Sequence, residues 1–204
     1  NAINNPSPFQ KLYLSTSRTT PFEVKIYNNN IIIGKVKISK GNPGVFDVPR
    51  NFIITNSSLF KPVSMGLYLE ADYTYYANLR FSEYNHAEII TSKGTAGIGK
   101  LFYAVMAPIS ISNSIIVSNS ILNFTTSVLA TEDNTTIKIS KFKPGIYFSD
   151  GIKRSEFNIT LNKGESYIIE GNGYQTINHT GFIGAKIEAD KPISVTNGNF
   201  NGQY

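Results

Sequence analysis

The chain contains no cysteine, no tryptophan and only two histidines among its 204 residues. Without cysteine there can be no disulfide framework, thiolate metal site or cysteine nucleophile. Two histidines leave little material for histidine-based catalysis or a histidine-ligated metal. Acidic side chains are also few, 14 against 19 Lys and Arg, which sets the formal net charge at +5. Only 16% of residues are charged while 41% are hydrophobic, and with 12 Tyr and 13 Phe this excludes intrinsic disorder. The length fits one domain or two small ones, with a sizeable core.

A long apolar run is missing too. Residues 101–131 carry no charge, but Pro108 and repeated Ser and Asn break them. A spanning helix needs about 20 predominantly apolar residues, so no transmembrane segment is expected. Asn1 to Ser7 is polar and has no basic n-region, so no secretory signal is read there. The positive charge is scattered, with its densest groupings at Lys35/Lys37/Lys40 and Lys138/Lys141/Lys143. Alternate lysines on a strand share one solvated face, and no clustered basic surface with interleaved aromatics emerges, so nucleic acid is not an expected partner.

What is present is alternation of period two. Phe22, Val24 and Ile26 oppose Glu23 and Lys25, and Ile137 and Ile139 flank Lys138. Further strands are predicted over residues 35–39, 44–48, 67–81, 123–130, 157–161, 166–170, 185–188 and 192–196. Turn chemistry separates them, as at Asn28-Asn29-Asn30, Lys40-Gly41, Lys163-Gly164 and Gly171-Asn172-Gly173. No amphipathic helix is expected, at most a single helical turn over residues 95–100. The pattern is that of an all-β sandwich.

The two halves also echo one another. Leu14-Ser15-Thr16, the alternation of residues 21–26, Lys40-Gly41, residues 45–48 and Glu70-Ala71-Asp72 recur in order. Their counterparts are Leu129-Ala130-Thr131, residues 135–139, Lys163-Gly164, residues 167–170 and Glu188-Ala189-Asp190. The expected fold is therefore all-β, with two tandem, related antiparallel β-sandwich units: residues 1–107 with a connector, and residues 108–204.

Sites of chemistry are sparse. Glu132-Asp133-Asn134 offers oxygen ligands, but the alternating acidic pattern of a calcium loop is absent, and a turn that hydrogen-bonds its own backbone is the plainer reading; cation binding there stays open. Glu70 with Asp72, and Glu188 with Asp190, resemble a strand-end signature more than an acid/base pair, which needs a cleft of defined width. Neither His86 nor Ser92 has a triad arrangement around it, and His179 falls in a polar turn. The run Gly94 to Lys100 lacks the Ser or Thr after lysine and the helix that a phosphate loop requires. No catalytic residue, cofactor or metal ligand is assigned. If residues 67–81 form one strand, Tyr68, Glu70, Asp72, Thr74, Tyr76, Asn78 and Arg80 share the face away from the core. Tyr76 and Arg80 are then the candidate ligand-binding residues, since exposed aromatic and Arg side chains often engage glycans or proteins. Packing between the two units, with Tyr supplying apolar area plus a hydroxyl, is the plainer use of these tyrosines. Five N-x-S/T sequons begin at Asn56, Asn123, Asn134, Asn158 and Asn178.

Several strings carry a family likeness: Leu12-Tyr13-Leu14-Ser15-Thr16, His86-Ala87-Glu88-Ile89-Ile90-Thr91-Ser92-Lys93-Gly94, Ala130-Thr131-Glu132-Asp133-Asn134-Thr135-Thr136, and Asp190-Lys191-Pro192-Ile193-Ser194-Val195-Thr196-Asn197-Gly198. Together they resemble the amino-terminal domain family of IgGFc-binding protein, in the form carried by large type IX-secreted Bacteroidetes surface proteins, gliding-motility adhesins among them. The resemblance implies a non-enzymatic extracellular module of a bacterial cell surface, associated with the outer membrane and belonging to a longer polypeptide. Implied partners are neighbouring domains of that polypeptide, glycans, the substratum or other surface proteins. A dedicated carbohydrate-binding module is the second reading, and a glycoside hydrolase the third.

Overall fold

The computed structural model describes residues 9–49, 55–83, 86–107 and 123–199. The strands are β1 (Phe9–Ser15), β2 (Phe22–Asn28), β3 (Ile31–Ile38), β4 (Gly44–Asp47), β5 (Pro62–Val63), β6 (Tyr68–Glu70), β7 (Tyr76–Glu83), β8 (His86–Thr91), β9 (Ile98–Tyr103), β10 (Phe124–Ala130), β11 (Thr135–Ser140), β12 (Phe157–Leu161), β13 (Ser166–Gly171) and β14 (Lys186–Asn199). Among the described residues only single 3-10 turns lie between them and every ladder is antiparallel; the protein is all-β.

Two compact units divide the chain. The first comprises Asn1–Thr55 and Ser64–Gly97, the second Asn56–Val63 and Ile98–Tyr204. In the first, a four-stranded sheet ordered β4-β1-β7-β8 faces a three-stranded sheet ordered β3-β2-β6. Alternate residues of β1 and β2 supply the core between them: Leu12, Leu14, Phe22, Val24 and Ile26 are all buried. In the second, β12-β11-β14-β10-β13-β5 form one continuous ladder, and β9 also pairs with β14. The long strand β14 belongs to both halves of this sandwich, pairing with β11 through Lys186 to Ala189 and with β10 through Ile193 to Asn199. β11 and β12 alternate buried and exposed residues along their length, as a sheet with one face on a core requires. Their inner residues meet a cluster of rings, in which Phe124 stacks on Phe182 at 4.7 Å and Phe148 meets Phe157 edge-on at 5.0 Å.

The two units are built on one plan. Leu14 pairs with Gly44 on one side and Ala77 on the other, as Val128 pairs with Tyr167 and Val195. Ile26 pairs with Gly34 and Leu69, as Ile139 pairs with Phe157 and Ile187. A shared turn follows the third strand of each: the Asn42 N–H donates to the Ser39 carbonyl at 2.9 Å, and the Glu165 N–H to that of Asn162 at 3.0 Å. Glycine occupies the left-handed position in both turns, with φ of 80° at Gly41 and 81° at Gly164. Even the sheet crossing is clipped alike, with Thr16 Oγ1 donating to the Thr74 carbonyl and Thr131 Oγ1 to that of Pro192.

Three details depart from the sequence reading. The buried counterpart of Leu14 is Val128, whereas the echo aligned Leu129; Leu129 is only half-buried, because a shift of one residue turns a strand's side chains to the opposite face. Residues 67–81 are two strands rather than one, since β6 joins the three-stranded sheet and β7 the four-stranded one. Residues 95–100 hold a 3-10 turn at Gly94–Gly97 and then the first residues of β9.

Candidate functional site

The outer face of the four-stranded sheet in the first unit presents the candidate residues. On β7, Tyr76 is 64% exposed, and Arg80 is exposed four residues further along the same face. At about 3.3 Å per residue their backbone positions stand roughly 13 Å apart. Register places Tyr13 and Thr91 on either side of Asn78, and Lys11 and Ile89 on either side of Arg80. The Thr91 hydroxyl donates to Asn78 Oδ1 at 2.8 Å, and Lys11 meets Asp47 at 3.2 Å. No carboxylate pairs with Arg80 among the described residues. Val45 and Ile89 remain exposed on this face, so it is mixed: aromatic, aliphatic and cationic.

The neighbouring tyrosines behave otherwise. Tyr75 packs against the core, where burial first, then the nearby Tyr68 and Glu70, lift its phenol above the ordinary value. Tyr73 lies under Arg18, whose guanidinium carbon is 3.6 Å from the ring centre. Tyr68 sits on β6, against Tyr27. The tyrosines of residues 67–81 thus divide between packing and exposure, and Tyr76 is the most exposed of them.

In the second unit, the connection between β11 and β12 is the prominent feature. Residues 141–156 form a long loop, tied down by Lys143 N–H to the Gly181 carbonyl and Ser149 N–H to that of Glu170, both within hydrogen-bond distance at 2.9 and 3.0 Å. Asn178, 1% exposed, anchors it: its Oδ1 accepts from the Tyr147 N–H at 3.0 Å, and its Nδ2 donates to the carbonyls of Tyr147 and Asn172. Arg154 grips both oxygens of Asp150, at 2.9 and 2.5 Å, and also donates to the Ile152 carbonyl. Its guanidinium lies 5.1 Å from the ring centre of Phe157 and 5.2 Å from that of Phe60. Burial works to raise the Asp150 pKa, but hydrogen bonds from Arg154 and the Ile152 N–H prevail and hold it below the usual carboxylate value. Between the two limbs of the loop opens a pocket of about 280 Å³, lined by Phe142, Pro144, Gly145, Lys153, Arg154 and Ser155.

Of the carboxylates singled out in the sequence, Asp133 and Asp190 serve as braces. Asp133 Oδ1 accepts from the Lys163 N–H at 3.0 Å, Asp190 Oδ1 from the Thr136 N–H at 2.8 Å, and Lys191 Nζ donates to the Asp133 carbonyl. The Thr136 N–H is the main reason the Asp190 pKa is lowered. Glu188 pairs with Lys186 at 2.5 Å. No cluster of three or more His, Asp or Glu suited to a metal ion occurs among the described residues. Ser92 Oγ accepts from the Gly94 N–H, and His179 Nε2 lies 3.2 Å from the Gly173 carbonyl, so each makes a local turn contact. The side chain of His86 lies outside the described residues.

The model of the IgGFc binding protein family matches residues 87–203, more than half of the chain. The chain belongs to this family. No curated protein and no solved structure matches the chain. The match takes in β9 to β14, and therefore the ring cluster, the 141–156 loop and the Asp133/Asp190 braces. The match thus covers most of the second unit, apart from residues 56–63, and reaches back over β8 of the first, while β1 to β4, β6 and β7 repeat the strand plan outside it. Family membership points to an extracellular binding module. No helix of the described residues is long and apolar enough to cross a membrane.

Sequence reasoning missed the 141–156 pocket. The available signals were the turn pairs Pro144-Gly145 and Asp150-Gly151 inside an unusually long interval between strands. Two of the five sequon asparagines are also buried: Asn178, and Asn123, which donates to Glu170 Oε1 and accepts from the Gly173 N–H.

Proposed function

We propose that the chain is a non-enzymatic adhesive module of a large bacterial cell-surface protein, exported by type IX secretion and serving surface attachment of the gliding-motility kind. Family membership supports the extracellular binding character. The observation that carries the adhesive reading is the outer face of the four-stranded sheet. There Val45, Tyr76 and Ile89 are 47%, 64% and 59% exposed beside Arg80, an aromatic and aliphatic surface with charge at hand. Exposed apolar area of this kind marks contact with a partner, and an antiparallel sheet beneath it provides a stiff base. Neighbouring domains, other surface proteins and the substratum are the partners in view. Beads coated with the intact chain should adhere to polysaccharide-coated or protein-coated glass above albumin-coated beads. Adhesion no better than albumin on every surface would overturn the reading.

A second reading, a dedicated carbohydrate-binding module, is favoured by the exposure of Tyr76 and Arg80 on one face. A pyranose ring stacks on an exposed Tyr, while a guanidinium reaches its oxygens. A glycan array separates the readings: retention lost on Tyr76→Ala favours the second, and an empty array with adhesive beads leaves the first.

A further inference from the structure

The pocket within residues 141–156 has a use that the fold itself does not require. In the first unit the equivalent pair of strands, β2 and β3, is joined by Asn29-Asn30 alone. The sandwich plan therefore closes without a long loop, yet the second unit carries one of 16 residues, just past the roughly 12–15 at which an irregular connection is usually functional. The loop is also held in one shape. Asn178 fixes its middle through two hydrogen bonds to Tyr147, and Arg154 with Asp150 fixes its returning limb. A shaped loop on a rigid scaffold is the usual construction of a binding site.

Its chemistry is mixed. Exposed Pro144 contributes apolar surface, Phe142 shows only the edge of a ring packed into the core, and Gly145, at φ 90°, brings bare backbone to the rim. Ser155 adds a hydroxyl, and Lys153 and Arg154 contribute positive charge. Arg154 is balanced by Asp150, but Lys153 is exposed and pairs with no carboxylate among the described residues. Lys141 and Lys143, both exposed, lie on the outgoing limb and raise the local potential further. A volume of about 280 Å³ lies just under the ~300 to ~1,000 Å³ of small-molecule pockets, so the occupant is a single small unit. Apolar lining beside a hydroxyl and an unbalanced ammonium suits a ring with a C–H face, hydroxyl groups and a carboxylate.

From these features we infer that the 141–156 pocket binds an acidic sugar unit of the uronate type, its carboxylate on Lys153 and its ring against Pro144. The inference rests on the binding module proposed above, names a ligand for it and assigns that ligand to the second unit, whereas Tyr76 belongs to the first.

The test is a titration of the intact, isotope-labelled chain with D-glucuronate, followed by amide NMR shifts. D-glucose serves as the neutral match and acetate as the bare carboxylate. Glucuronate should produce saturable shifts at Gly145, Lys153, Arg154 and Ser155, with an affinity in the millimolar range expected of a monosaccharide, about −4 kcal/mol. Lys153→Gln, at an exposed position, should keep the spectrum of the fold and weaken glucuronate roughly two- to fivefold, as loss of a single exposed charge contact does. Equal shifts with acetate would mean an adventitious ion only and would overturn the proposal. So would glucose binding as well as glucuronate, unsaturable shifts, or unchanged affinity in Lys153→Gln. Bead adhesion that persists while this titration fails would leave the adhesive reading standing and remove the pocket ligand alone.

Discussion

Replacing Asn178 by Ala tests whether the 141–156 loop is held as the structure shows. The side chain is 1% exposed and makes three hydrogen bonds, accepting at 3.0 Å and donating at 2.7 and 2.8 Å. Each such bond contributes about 1 kcal/mol net, and the Tyr147 N–H and carbonyl would be left without these partners. The expected loss is about 2–4 kcal/mol, a large part of the 5–15 kcal/mol typical of a domain. Urea denaturation at neutral pH measures it as a lower midpoint with an unchanged slope. Amide exchange adds a local readout, since the Tyr147 N–H should lose its protection first. Asn178→Asp should be worse than Ala at neutral pH, because it removes both donated bonds and buries a charge. Its disadvantage should shrink as acid neutralises the new carboxylate. A loss below about 1 kcal/mol in Asn178→Ala, with Tyr147 still protected, would refute the anchoring role.

Gly171→Ala should destabilise by about 1–3 kcal/mol, because a Cβ there would stand 1.9 Å from the Phe124 ring and force the stacked Phe124–Phe182 pair apart; thermal unfolding reports it. The Asp150–Arg154 pair should make stability acid-sensitive. A carboxylate with a depressed folded pKa stabilises above its unfolded value, about 3.9, and that stabilisation disappears as pH falls through the folded value, so Asp150→Asn should flatten urea midpoints measured below about pH 4. Phe60 lies over Arg154 and edge-on to Phe148, and its N–H donates to the Ile168 carbonyl, so a fragment beginning at Ile98 should unfold at lower urea than the same fragment supplied with a peptide of residues 56–63. Gly41→Ala and Gly164→Ala should cost similar amounts, about 1 kcal/mol each, because both glycines adopt the same left-handed backbone in the same turn.

The parts of the fold that sequence made legible are those where one face is buried. β2, β11 and β12 alternate cleanly, and their inner residues are the ones found in the cores. β9 was not legible, because its pattern mixes two half-buried positions, Gly99 and Phe102, with exposed Leu101 and Tyr103. The sheet crossings misled in both directions. Residues 67–81 alternate without interruption yet divide between two sheets, whereas β14 continues through Asp190, Lys191 and Pro192. Side-chain parity persists when a strand changes hydrogen-bonding partners, so the pattern alone does not report the exchange.

For the candidate site, Tyr76 and Arg80 were legible as strand residues facing away from the core. The pocket was not, because its limbs meet only when a residue far along the chain, Asn178, fixes the loop between them. The spacing of Lys138, Lys141 and Lys143 suggests one solvated strand face. Lys138 does lie on β11, paired with Glu156, but Lys141 and Lys143 follow the strand, and Lys141 turns the chain with a φ of 62°.

The claim that the outer sheet face carries adhesion is tested most directly by bead attachment of a Tyr76→Ala, Arg80→Ala double variant. Both side chains are exposed, so the variant should fold as the parent does, shown by an unchanged urea midpoint. The account predicts that coated beads lose most of their attachment to the surface that holds the parent chain. Attachment at the parent level, with folding intact, would contradict it.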